Sequence, residues 1–144
     1  RIGEVYFLRG YLHLLLIRSY GEAVYVNRVI NPGDDMTFEK ESFHSMVEKI
    51  CADADSAYNR VDSWNGGQYF GRVDKGACLG LKAMARWLAA TPLWNGGNLP
   101  NDNRIFKSEY GYDQKRWELA RDAAKAVLEC TKEDGSLRYK LYET

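Results

Sequence analysis

The chain has 144 residues and a mass of 16.5 kDa, a length that one compact domain fills. Its 20 basic side chains balance its 20 acidic ones, which removes the electrostatic footprint of a nucleic-acid or polybasic membrane binder. Apolar residues at 45 % and charged residues at 28 % exclude a disordered tail, and three cysteines cannot all pair, which argues against a disulfide framework. The longest aliphatic run, Leu14 to Ile17, falls far short of the ~20 residues that a membrane helix needs. The chain opens at Arg1 directly into an apolar pattern, and we expect it to be an internal piece of a longer protein.

Four segments carry helical periodicity, and none reads as a strand. The first spans about residues 2–20. Val5, Leu8, Leu12, Leu15 and Leu16 draw one stripe, Phe7 with Leu14 a second, and Tyr6 with Ile17 a third. A helix apolar around most of its circumference needs cover on several sides, so neighbours beyond this chain are expected. Gly21 to Phe38 contains the turn cluster Asn31-Pro32-Gly33-Asp34-Asp35 and reads as a surface loop. The second helix spans about 39–62, with Phe43, Met46, Val47, Ile50, Ala54, Ala57 and Val61 on one face and Glu48, Lys49, Asp53 and Arg60 largely elsewhere. The third spans about 74–91, with Asp74 as N-cap and Pro92 as the stop. Its small residues, Gly80 and Ala83 among them, suit close helix packing. The fourth spans about 113–131, capped by Asp113, with Trp117, Ala120, Ala124, Val127 and Leu128 on one stripe and Gly135 in a turn before a tail from Leu137 to Tyr142. The fold class is all-α: tetratricopeptide-like helical hairpins with long inserted loops, in one helical segment over 1–144.

No catalytic constellation stands out. His13 and His44 read as structural or solvent-facing, and Cys51, Cys78 and Cys130 as small buried hydrophobes on helices, without the paired spacing of a metal site. Acidic pairs such as Asp34-Asp35, or Glu109 with Asp113, offer a glycosidase reading that we rank last. A repeated tetrapeptide is more informative: Trp64-Asn65-Gly66-Gly67 and Trp94-Asn95-Gly96-Gly97 each follow a helix. Such segments terminate helices, with the aromatic folded back on the last turn. Loop tryptophans also offer flat apolar faces to a sugar ring, with Asn amides reaching its hydroxyls. Tyr69, Phe70, Tyr110 and Tyr112 enrich the same loops. The candidate ligand-binding residues are therefore Trp64, Asn65, Tyr69, Trp94, Asn95 and Tyr112, with the expectation that Trp64→Ala or Trp94→Ala weakens oligosaccharide binding without unfolding the helices.

Several blocks resemble the SusD/RagB family. Glu4-Val5-Tyr6-Phe7-Leu8-Arg9-Gly10-Tyr11 through Tyr20-Gly21 is similar to its E-x-Y-F-L-R-A helix, with Gly10 in place of the usual Ala. Gly71-Arg72-Val73-Asp74-Lys75-Gly76-Ala77 through Lys82-Ala83 resembles its G-R-x-x-K-x-A helix, with Gly80 where Ala is commoner. Thr91-Pro92-Leu93-Trp94-Asn95-Gly96 looks like its S-P-L-W-N-G loop, and Tyr112-Asp113 with Arg116-Trp117 through Val127 resembles the Y-D-x-x-R-W helix that follows. The segment from Ser42-Phe43 to Asp55 fits as well.

The resemblance implies part of a larger SusD-like domain in a surface-exposed outer-membrane lipoprotein. Such a protein captures oligosaccharides or peptides without catalysis and delivers them to a TonB-dependent, SusC-like transporter. It implies no cofactor and no nucleic acid, names no metal-ligating residue while leaving open whether a metal ion assists, and implies membrane association only through a lipid anchor outside this chain. Arg72 falls on a recurrent family position. The alternative is a helical scaffold that binds protein surfaces and has no small ligand of its own.

Overall fold

The computed structural model describes residues 1–97 and 110–141. Among the described residues four helices follow one another: α1 (Ile2–Tyr20), α2 (Phe43–Tyr58), α3 (Lys75–Ala90) and α4 (Gln114–Leu128), with one 3₁₀ turn at Gly67–Tyr69. Among the described residues there is no strand, only isolated antiparallel bridges at Ala23–Glu41 and Thr131–Leu137. Each helix packs antiparallel along its predecessor, and α1 reaches α3 only slightly. The molecule is therefore a short helical stack, as the tetratricopeptide-like reading expects.

Side chains set the helix ends. Ser42 Oγ accepts from Ser45 N at 3.2 Å, which starts α2 later than periodicity suggests. Asp74 accepts from Ala77 N at 3.0 Å and Asp113 from Lys115 N at 2.9 Å, so both expected caps are made. Leu14, Ile17, Phe43, Met46, Val47 and Ile50 form the fully buried centre, joined by Leu81 and Ala85 of α3. Gly10 lies where a Cβ would press within 3.2–3.4 Å of Asp53, Leu81 and the Ile50 carbonyl, so its missing side chain is what lets α1 close on α2.

Several expectations need correction. In α1 the buried line is Gly3, Gly10, His13, Leu14 and Ile17. Val5, Leu8, Leu12, Leu15 and Leu16 form the outward face, with Val5 65 % exposed. A helix apolar all round carries several equivalent stripes, and only the glycines mark the one that a neighbour can approach. Asp53 is buried: Arg9 grips both its carboxylate oxygens, through Nε at 2.9 Å to one and Nη2 to the other, and Tyr25 Oη donates to it at 2.8 Å. Gly80 has open space where its Cβ would be, so close packing does not explain it. In α4 only Ala120 and Ala123 are buried, while Trp117 and Leu128 stand exposed. Cys130 lies beyond the helix end, its carbonyl accepting from Arg138 N at 2.8 Å.

Candidate functional site

The two Trp-Asn-Gly-Gly segments perform one backbone task twice. After α2, Asn65 Nδ2 donates to the Val73 carbonyl at 2.8 Å, just before the Asp74 cap. After α3, Asn95 Nδ2 donates to the Asp113 carbonyl at 3.2 Å, and Asn95 Oδ1 accepts from Asp113 N at 2.7 Å and Arg116 Nη1 at 2.8 Å. Each asparagine thus clamps the end of one helix to the N-cap of the next. Gly96 sits at φ +84°, with Tyr112 packed against the place of a Cβ, so a side chain there meets both strain and a clash.

The rings meet different fates. Trp94 is 6 % exposed, stacked face to face on Phe43 with centroids 3.9 Å apart and planes 3° from parallel, and Tyr110 approaches edge-on at 5.2 Å. Tyr110 Oη accepts from Phe43 N and donates to the buried Glu22. Trp94 and Asn95 are therefore built into the core, and Trp94 has no open ring face for a sugar. Trp64, Tyr69 and Tyr112 are exposed at 52 %, 50 % and 67 %. The candidates also divide between two ends of the stack. Trp64, Asn65 and Tyr69 lie where α3 begins, and Trp94, Asn95 and Tyr112 where it ends. The 16 residues of α3 separate them by about 24 Å.

The end that holds Trp64 has the more developed surface. Trp64 folds over Gly66, and the 3₁₀ turn then presents Tyr69 and Phe70, the latter 82 % exposed. Arg72 lies 5.5 Å from the Tyr69 ring centroid and makes a two-pronged pair with Glu4 of α1, both bonds at 2.8 Å. Those bonds hold the Glu4 carboxyl below its ordinary range. The loop thus combines aromatic faces with fixed charged hydrogen-bonding groups.

Composition and spacing left a second feature out. Between α3 and α4 runs an apolar groove of about 420 Å³ lined by Met84, Trp87, Trp117 and the alanines between them, with Arg121 the charged member among the described residues. Trp87 and Trp117 are 60 % and 42 % exposed. A wall with so few hydrogen-bonding groups suits apolar side chains better than hydroxylated sugars. The signal was present in the sequence: Met84 and Trp87 share a face of α3, which Trp117 of α4 then meets.

The remaining chemistry-bearing residues are occupied. His13 Nδ1 donates to the Arg9 carbonyl at 2.8 Å, and Nε2 accepts from Val26 N. His44 Nε2 donates to the Trp94 carbonyl at 2.9 Å, and burial, reinforced by the Arg116 charge, pushes its pKa below 6.5. Burial raises the Cys51 thiol to about 11 and the Cys78 thiol to about 12, which keeps both protonated and inert. Asp34 and Asp35 tie down the exposed turn, the former bonded to Arg28 and the Asn31 amide, the latter to Thr37. Glu109 lies outside the described residues, as does Tyr142 at the end of the tail.

No protein-family model and no curated protein sequence matches the chain. Solved structures do. BT4246 superposes with a TM-score of 0.75 at 24 % identity, covering 89 % of this chain and 23 % of that one. Its selenomethionine form gives 0.72 at 26 % identity, covering 92 % and 23 %. A SusD-like protein, BF3747 of Bacteroides fragilis NCTC 9343, gives 0.64 at 21 % identity, covering 91 % and 21 %. The chain therefore has a SusD-like fold, as its sequence blocks implied, and spans less than a quarter of the length of these proteins.

Proposed function

We propose that the chain is a helical part of a non-catalytic nutrient-binding protein that captures oligosaccharides and delivers them to a TonB-dependent, SusC-like transporter. The protein would stand on the cell surface as an outer-membrane lipoprotein. The observation that carries the ligand reading is the exposed Trp64–Tyr69–Phe70 loop braced by Arg72 and Glu4 on a SusD-like stack. Ring faces hold the apolar side of a sugar while the charged pair and the tyrosine hydroxyl address its hydroxyls.

The test is calorimetry of the chain against a panel of neutral oligosaccharides, with Trp64→Ala and Tyr69→Ala beside it. Losing one stacked ring is expected to weaken binding roughly three- to tenfold. Unchanged affinity in both variants refutes the loop as the site. The Trp87–Trp117 groove favours a second reading, a scaffold for protein partners. That reading is supported by co-purification with a barrel protein in the absence of heat from any sugar.

A further inference from the structure

At the opposite end from the aromatic loop, α2, α3 and the first turn of α4 enclose a cleft of about 210 Å³. Its floor is apolar, made by buried Val47 and Ala89 and half-buried Leu119. Its walls are charged: Glu48, Arg86, Asp113, Lys115, Arg116 and His44 all line it. The carboxylates are already engaged. Glu48 makes a two-pronged pair with Arg86, and Asp113 caps α4. The cations are engaged less fully. Arg116 spends only Nη1, on Asn95 Oδ1 and on the Gly111 carbonyl at 2.6 Å, which leaves Nε and Nη2 unmatched among the described residues. Lys115 Nζ has no partner among them either. His44 donates from Nε2 to the Trp94 carbonyl, so in its neutral form Nδ1 is an acceptor. Among the described residues, three cations against two carboxylates leave the cleft one positive charge in excess.

We propose that this cleft is a subsite for a carboxylate-bearing sugar of the uronate class. The guanidinium and ammonium would receive the ligand's carboxylate, a planar two-oxygen acceptor that matches an arginine fork. Half-buried Leu119 would lie against the ring carbons, and His44 Nδ1 would accept from a ring hydroxyl. The subsite shares no residue with the Trp64 loop, so it stands or falls apart from the loop reading.

The experiment is a heteronuclear NMR titration of the chain with D-glucuronate, with D-glucose and inorganic sulfate as separate probes. Glucuronate is expected to shift the resonances of Val47, Ala89 and Leu119. The exposed Lys115→Gln should weaken that response about tenfold, and Lys140→Gln, an exposed lysine that does not line the cleft, should leave it unchanged. Three results would overturn the proposal: glucose binding as well as glucuronate, an unaltered response in Lys115→Gln, or shifts confined to the Trp64 loop. Sulfate reproducing the whole effect would also overturn it, since that marks an anion site without sugar chemistry.

Discussion

Replacing Trp94 by Ala separates a core role from a ligand role. The ring is 6 % exposed, stacked on Phe43 and edged by Tyr110, so truncation removes an indole from packed surroundings. Deletions of this size in a core cost about 3–5 kcal/mol. Small domains hold about 5–15 kcal/mol in all, so roughly a fifth of the stability would go at the least, and all of it in a marginal domain. With a urea slope of about 2 kcal/mol/M, the midpoint should fall by roughly 1.5–2.5 M. Trp64→Ala removes a ring that is half in water, and its midpoint should move by no more than about 0.5 M. Urea melts followed by far-UV circular dichroism measure both. Equal midpoints for the two variants would refute the assignment of Trp94 to the core.

Two further outcomes are expected. Gly80 stands inside α3 with nothing near the place of its Cβ, so Gly80→Ala should stabilise the chain by about 0.5–1 kcal/mol, read as a raised urea midpoint. The pKa of His44 is depressed below 6.5, so the unfolded chain takes up its proton first as pH falls. The stability tied to a neutral His44 is complete above about pH 6.5 and drains as pH drops toward the folded value. His44→Gln should flatten the midpoint between about pH 7.5 and 5.5, and an unchanged pH slope would refute the assignment.

What the sequence discloses is local, and what it conceals is pairing across distance. Asp74, Asp113 and Pro92 punctuate helices within a turn of themselves, so both ends of α3 and the start of α4 are legible almost to the residue, while the end of α4, which has no such marker, falls short of the expected position. The burial of Asp53 is not, because it depends on Arg9 and Tyr25, 44 and 28 residues away. The orientation of α1 is concealed for another reason. Where leucine recurs on every side, periodicity has no preferred direction, and the informative positions are Gly3 and Gly10, which carry no hydrophobic signal at all. The four family-like blocks were legible because they hold caps, glycines and aromatics in fixed order, and the backbone superposition on SusD-like structures agrees with them.

The repeated tetrapeptide shows how one motif can give its asparagine the same task in both copies and its tryptophan a different one in each. Asparagine acts on backbone a short way along the chain, so both copies make the same clamp. Tryptophan acts on whatever surface the fold brings to it: Phe43 for Trp94, solvent for Trp64. The clamps also differ in strength. Asn95 makes three good bonds around the Asp113 cap and is 4 % exposed, whereas Asn65 makes one at a half-buried site. Asn95→Ala strands the Asp113 amide and leaves Arg116 Nη1 with the Gly111 carbonyl alone, at about 2–3 kcal/mol, while Asn65→Ala should cost about 1 kcal/mol. Urea midpoints in that order, with the fourth helix loosened first by hydrogen exchange in Asn95→Ala, are the expected result. The reverse order would mean that the loop after α3 is held by its rings alone, with the asparagine clamp incidental.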